Sequence, residues 1–244
     1  GADFPRVIKM MRERLSARPL ILQLPVGEEE RFRGVIDLLR QKAILYDDVT
    51  MGSEFREEAV PESMKPQVEI YREKILEALA EAEDSFMEKY LAGEALPLEE
   101  IQALIRRETL AARLVPVFFG SAFKNKGIQP LIDGVVDYLP SPLDVPPIRG
   151  RHPDTGLEEM RTPLNGAPLS ALAFKIMTDP YVGQLTFLRI YSGALASGAS
   201  VYNSNKGRRE RIGRLVKMHA NKREEIKEAG AGDIVAAVGL KETM

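Results

Sequence analysis

Val115-Pro116-Val117-Phe118-Phe119-Gly120-Ser121-Ala122-Phe123-Lys124-Asn125-Lys126-Gly127 is an apolar run that ends at a glycine and continues through small and basic residues. It leads into Ile128, Leu131, Ile132, Val135, Val136 and Leu139, which recur at helical spacing. A strand, a loop and a helix in that order form the unit of an α/β domain, where ligands sit at the ends of strands. Leu139-Pro140-Ser141-Pro142-Leu143-Asp144-Val145-Pro146-Pro147 then stops the helix, because its four prolines and one aspartate cannot continue it. This stretch marks a domain boundary, with one domain over 1–142 and another over 143–244.

Upstream of the loop, Pro5 opens a helix in which Val7, Ile8, Met11 and Leu15 share a face, proline being suited to a first turn. Leu20-Ile21-Leu22-Gln23-Leu24-Pro25 reads as one buried strand, and Phe32–Asp37 and Ala43–Tyr46 as two more. Val68, Tyr71, Ile75, Leu79, Phe86, Met87 and Tyr90 form a helical block with glutamates between them, which reads as a packed layer with a solvated acidic face. Gly93 interrupts it, and Pro97, Glu99 and Glu100 start another helix through Ile101, Leu104 and Ile105.

Downstream the character changes. Leu172–Met177, Gln184–Tyr191, Ser200–Tyr202, Arg211–Met218 and Ile234–Val238 are short strand candidates, punctuated by Gly183, Gly193, Gly198, Gly207, Gly230 and Gly232. Many short strands at close spacing predict a small antiparallel β-barrel.

The chain has 244 residues, 44% of them hydrophobic and 29% charged, which excludes wholesale disorder. It contains no cysteine and only two histidines, His152 and His219, so disulfide scaffolds, thiolate zinc sites and cysteine nucleophiles are excluded. No apolar run approaches the roughly 20 residues of a membrane span. Gly1-Ala2-Asp3-Phe4-Pro5 lacks an initiator Met and does not read as a signal peptide, as expected of a chain that starts inside a larger protein. The net charge of -2 hides an asymmetry: residues 1–142 carry 19 Lys and Arg against 25 Asp and Glu, whereas 143–244 carry 15 against 11. Lys206–Arg223 alone holds eight basic residues and one acid, Glu210. One sign of charge concentrated in this way suits an anionic partner.

Motifs for chemistry are absent. The sequence has no Gly-x-x-x-x-Gly-Lys-Ser/Thr, no Gly-x-Gly-x-x-Gly and no nucleophile elbow. Asp47-Asp48 and Glu57-Glu58 are pairs of the kind that 36 acids produce by chance, so no catalytic residue and no metal ligand is expected. His219 reads as a turn histidine in Met218-His219-Ala220-Asn221, and Asp179-Pro180-Tyr181-Val182-Gly183 as a hairpin turn. The small residues Gly120-Ser121-Ala122 would let backbone N–H groups approach a planar ligand such as a purine carbonyl oxygen; an ordinary strand–helix connection is the alternative.

The whole chain resembles elongation factor G, the translocation GTPase of protein biosynthesis. Gln23-Leu24-Pro25-Val26-Gly27 and Phe32-Arg33-Gly34-Val35-Ile36-Asp37-Leu38 resemble the start of the insertion in that family's GTP-binding domain. Pro116–Gly127 is similar to its fifth guanine-nucleotide motif, and Asp137-Tyr138-Leu139-Pro140-Ser141-Pro142 to the end of that domain. Ala173-Phe174-Lys175, Asp179–Gly183, Tyr191-Ser192-Gly193, Lys206-Gly207-Arg208-Arg209-Glu210-Arg211 and Gly239-Leu240-Lys241-Glu242-Thr243 resemble its second domain. The order is collinear over nearly all of the chain.

The resemblance implies an α/β fold, a partial P-loop GTPase domain with an α+β subdomain inserted at about 18–113, followed by an antiparallel β-barrel domain truncated at its C-terminus. It implies GTP or GDP with Mg²⁺ as cofactors of the parent protein, a ribosome partner contacted through small-subunit RNA and protein by the barrel, no membrane, and a cytoplasmic location. Ser121 and Ala122 are the implied base-side contacts, with Lys124 against the loop. Lys206, Arg208, Arg209, Arg211, Arg214 and Lys217, with Lys222 and Arg223, are the implied RNA-phosphate contacts. The family's phosphate loop, switch regions and Asn-Lys-x-Asp motif have no counterpart here: Asn125-Lys126-Gly127-Ile128 and Asn221-Lys222-Arg223-Glu224 lack the aspartate. The expectation is therefore an internal piece of a GTPase, inactive and without tight nucleotide binding when isolated. A recycling or ribosomal-protection paralogue, and a non-catalytic ribosomal-RNA-binding protein, remain the other readings.

Overall fold

The computed structural model describes residues 3–47, 49–50, 52–152, 154–180, 183–219 and 222–243. The chain divides into two compact units, Gly1–Leu139 and Pro140–Met244.

In the first unit, Asp3 caps helix α1 (Phe4–Leu15) by accepting a hydrogen bond from the Arg6 N–H at 2.9 Å, and Ser16 ends it in the left-handed region with φ 51°. Strands β1 (Pro19–Ile21), β2 (Gln23–Val26), β3 (Gly34–Asp37), β4 (Lys42–Tyr46) and β5 (Phe55–Ala59) follow. Next come helices α2 (Lys65–Ala80), α3 (Asp84–Leu91) and α4 (Leu98–Leu110), strand β6 (Val115–Val117) and helix α5 (Ile128–Tyr138). β2 to β5 form an antiparallel sheet in sequence order, while β1 and β6 make a separate parallel pair with Pro19 opposite Val115.

The stretch expected to be one strand, Leu20–Pro25, is thus two strands in two sheets. Leu22 is where the partner changes: its N–H donates to the Val117 carbonyl at 3.1 Å, and its own carbonyl accepts from the Leu38 N–H at 3.0 Å. An apolar run cannot show this, because both sheets bury the same side chains. Leu24, Ile36 and Leu45 of the antiparallel sheet, with Leu38 just after β3, pack with Val68, Ile75, Leu79, Phe86, Ile101, Leu104 and Ile105 of α2 to α4 in one core. Each such aliphatic side chain contributes about 2 kcal/mol by leaving water. Val35, Ile44 and Tyr46 are buried on the opposite face, with Phe32 and Phe119 against them.

The helical block is broken as well. Glu83 lies between α2 and α3 in extended backbone, φ -148° and ψ 121°. The spacing of seven between Leu79 and Phe86 suits one continuous helix, so the apolar stripe conceals the turn. β5 is not foreshadowed by the sequence, since Phe55-Arg56-Glu57-Glu58-Ala59 is exposed throughout; its ladder with β4 and a 2.8 Å ion pair between Lys42 and Glu57 hold it.

In α5 the buried residues are Gly134 and Tyr138. A Cβ on Gly134 would lie 2.3 Å from the Phe118 ring, so the helix approaches β6 by its bare side. Ile132 and Val136, whose spacing suggests core positions, are 56% and 72% exposed.

The second unit begins with a hairpin absent from the sequence reading, β7 (Ile148–Arg151) with β8 (Glu158–Arg161). Strands β9 (Ser170–Asp179), β10 (Gly183–Ser192), β11 (Leu195–Ala196), β12 (Ser200–Asn203), β13 (Arg208–Arg211) and β14 (Arg214–His219) follow, then β15 (Lys222–Ile226), β16 (Glu228–Ala229) and β17 (Ile234–Val238). The main sheet has the order β15-β14-β17-β10-β9, all antiparallel, and β12–β13 and β11–β16 are further antiparallel pairs. Leu188, Ile190, Leu195, Ile212, Leu215, Ala229, Val235, Ala237 and Leu240 fill the interior of the barrel.

The expected strand Arg211–Met218 is also split. Ile212 is fully buried, and Gly213 donates its N–H to the Val238 carbonyl at 2.8 Å, which turns the chain from β13 into β14. β13 and β15 are so rich in charge that alternation of apolar residues cannot reveal them. The expected hairpin turn at Asp179–Gly183 includes Tyr181 and Val182, which lie outside the described residues, as do Ala220 and Asn221 of the His219 turn, Asp48 of the first acidic pair, and Met244.

Candidate functional site

Two places carry the residues singled out by sequence, one in each unit. In the first unit β6 delivers the chain into the 120–127 loop. Ser121 and Lys126 form an isolated antiparallel bridge: the Ser121 N–H donates to the Lys126 carbonyl at 2.8 Å, and the Lys126 N–H returns to the Ser121 carbonyl at 3.1 Å. Between them Ala122–Lys124 makes a single 3-10 turn, closed by Asn125 in the left-handed region with φ 54°. Gly127 has φ 82°, and a Cβ there would sit 2.4 Å from the Phe119 carbonyl oxygen; one on Gly120 would sit 2.7 Å from the Lys126 carbonyl oxygen. The loop therefore closes only with glycine at both ends.

Three side chains fasten this loop to the unit. Gln23, 2% exposed, accepts from the Phe119 N–H at 3.1 Å. Lys126, 1% exposed, donates through Nζ to the Phe32 carbonyl at 2.9 Å. Tyr46 is buried close to the Gly127 backbone without a well-aligned hydrogen bond, and burial pushes its phenol above the usual value. Of the sequence candidates, Ser121 is half-buried, and Ala122 and Lys124 are exposed. No loop hydrogen bond consumes the amide hydrogens of Ala122 and Phe123. They can donate to an acceptor such as a purine carbonyl oxygen, which is a binding role and not a catalytic one. The sequence reading did not single out Gln23, Tyr46 and Lys126, because the lysine lies two residues from Lys124 in a run where either could be the buried one.

The two backbone N–H groups and the glycine-closed turn are compatible in chemistry with the edge of a purine base. The described residues include no group of three or more His, Cys, Asp or Glu able to hold a metal.

In the second unit the basic residues are spread over the hairpin β12–β13 and the sheet. Asn203 Oδ1 accepts from the N–H groups of Asn205 and Lys206, both at 3.1 Å, and shapes the turn that carries Lys206. Arg208, Arg209 and Arg211 follow on β13, all exposed. Arg208 lies 3.9 Å from Glu242, and Arg211 Nε donates to the Gly198 carbonyl at 3.2 Å. β14 sends Arg214 to the side of Val216 and Lys217 to the side of Leu215, so these two cations face opposite ways. Arg214 lies 3.9 Å from Glu225. Arg223 is engaged by Asp179 at 2.5 Å, and Lys222 stands opposite His219. Lys206, Arg208 and Arg209 therefore cluster along one hairpin, with Arg208 and Arg209 on opposite faces of β13.

Glu210, the lone acid of the stretch, points inward and is 8% exposed. Burial alone would raise its pKa, but hydrogen bonds from Asn203, from the backbone of Glu242 and Lys241 and from Thr243 together hold it below the ordinary carboxyl value. An acid at the inward position of an otherwise basic strand is a legible signal of this role.

Residues 168–244 match the family described as elongation factor G domain 2. Over 99% of its length the chain superimposes on a crystal structure from Thermus thermophilus, with a TM-score of 0.75 and 29% sequence identity. The chain spans 33% of that protein's length. The chain is therefore similar to elongation factor G domain 2 over 168–244 of its second unit, and over nearly all of its length it shares the fold of that solved chain.

Proposed function

We propose that the chain is the rear of a GTP-binding domain, with a subdomain inserted at about 18–113, joined to most of a domain 2 barrel, within a longer ribosomal translocase that couples GTP hydrolysis to tRNA and mRNA movement in the cytoplasm. The observation that carries this reading is the parallel pair β1–β6 opening into the glycine-closed 120–127 loop. Strands adjacent in that pair are separated in sequence by a whole antiparallel sheet and three helices, as an insertion requires. The exposed apolar face of α5 supports it too, since a helix facing water on that side is short of a neighbouring layer.

In this reading the Ala122 N–H, with Ser121 beside it, holds the guanine O6 side, and Lys124 lies along the loop. GTP with Mg²⁺, when bound by the complete protein, supplies the phosphoryl chemistry. The barrel docks on the small ribosomal subunit through Lys206, Arg208 and Arg209, with Arg211, Arg214 and Lys217 at the margins. Cationic side chains of this kind neutralise phosphates without reading sequence.

The test has two arms. The complete protein is expected to hydrolyse GTP in a ribosome-dependent way and to advance tRNA in a translocation assay; hydrolysis without translocation would assign it to a recycling or protection role. The 244-residue chain alone is expected to show no GDP binding at micromolar concentrations in a calorimetric titration. Stoichiometric binding there would contradict a base-only site.

A further inference from the structure

Glu210 sits within the basic hairpin with its carboxylate turned inward, 8% exposed. A buried carboxylate ordinarily requires a cation or a full set of donors. Here the donors are neutral: Asn203 Nδ2 at 2.8 Å, the Thr243 hydroxyl at 2.7 Å and the Glu242 N–H at 2.8 Å, with the Lys241 N–H beside them. The adjacent Arg208 is turned to Glu242 instead.

These bonds join three parts of the unit. Asn203 shapes the Lys206 turn through its Oδ1, while its Nδ2 donates to both Glu210 and the Thr243 hydroxyl. The Thr243 carbonyl accepts from Gln184 Nε2 at 3.1 Å, which ties the 240–243 segment to β10. Leu240, 5% exposed, anchors that segment in the barrel core. A two-stranded hairpin is weak by itself and would hold its cations loosely; clamped at both strands to a segment rooted in the core, it presents them as a fixed array.

We infer that Glu210 is the positioning residue of the phosphate-contacting surface: it clamps the β12–β13 hairpin to the 240–243 segment, so that Lys206, Arg208 and Arg209 are held in one arrangement and the exposed Lys241 joins them. This rests on the reading of the hairpin as an RNA contact. Cations already ordered lose less freedom on binding, so the clamp acts on affinity although Glu210 itself repels phosphate.

The experiment measures binding of the 244-residue chain to purified small ribosomal subunits across a potassium chloride series, for the wild type, Glu210→Gln, Thr243→Val and the pair R208E/R209E. Hydrogen exchange at the amides of Lys241 and Glu242 reports on the clamp itself. Glu210→Gln is expected to speed that exchange, to lower affinity about tenfold, and to make the salt dependence shallower. Thr243→Val removes a single donor and is expected to shift all three in the same direction by about threefold. It decides the matter if Glu210→Gln fails to fold. Lost binding in R208E/R209E with wild-type affinity and salt slope in both clamp variants would overturn the inference and leave the RNA reading standing. Binding that is indifferent to R208E/R209E and to salt would remove the RNA reading, and the clamp's role with it.

Discussion

The 120–127 loop and the β12–β13 hairpin are both turns that present polar groups at the end of a strand, yet they are built on opposite principles. The loop offers backbone N–H groups and is closed by Gly120 and Gly127 against carbonyl oxygens. The hairpin offers Lys206, Arg208 and Arg209 on an exposed ribbon, and its order comes from one inward carboxylate. The first arrangement suits a rigid, planar ligand whose shape must be matched. The second suits a charged, extended polymer whose phosphates need only be met within a Debye length. The loop should therefore respond to added atoms and ignore salt, and the hairpin the reverse.

The largest effect is expected at Gly127. With φ 82° and the Phe119 oxygen 2.4 Å from a Cβ, Gly127→Ala should cost about 3 kcal/mol or more in urea unfolding of the chain. An unchanged midpoint would mean that the loop opens freely and is no preformed cradle. Next is R208E/R209E, which removes two positive charges and adds two negative ones. It should weaken binding to small ribosomal subunits about 100-fold at low salt while leaving the unfolding midpoint in place. Equal losses of stability and binding would erase the contrast between the two regions.

The contrast also explains what could be read from sequence. Strand–loop–helix order at 115–138 is legible because apolar spacing changes there from a short run to a helical period. β13 and β15 are not, because both consist almost wholly of charged residues and the one buried position of β13 is Glu210 rather than an apolar side chain. The Leu20–Pro25 run hides a change of sheet at Leu22, since hydrogen-bond partners leave no mark on an apolar sequence. For the sites, the types of residue are visible and their grouping is not: β14 alternation separates Arg214 from Lys217, and Asp179 occupies Arg223.

A smaller effect concerns pH. Glu108, 2% exposed, accepts two hydrogen bonds from Arg113 at 2.5 and 2.6 Å. The Arg113 hydrogen bonds, larger in effect than the opposing burial, hold its carboxyl below the usual 4.5. A carboxyl whose folded pKa is depressed adds stability above the unfolded value and loses it as pH falls through the folded value. Glu108→Gln should therefore destabilise the first unit at neutral pH, and the gap from wild type should close as pH falls below 4.5. A gap that is constant with pH would assign its cost to packing alone. The smallest effect is expected from Lys217→Ala, because Lys217 faces away from Arg214 and stands outside the hairpin group; subunit affinity should change by less than about twofold. A larger loss would extend the RNA surface onto the sheet.

The most direct measurement is the salt dependence of binding between the wild-type chain and purified small ribosomal subunits. With Lys206, Arg208 and Arg209 each neutralising a phosphate, log affinity should fall linearly against log salt concentration with a slope of about -2 to -3. A flat line, or no binding at low salt, would contradict the account of the barrel as a phosphate-neutralising domain.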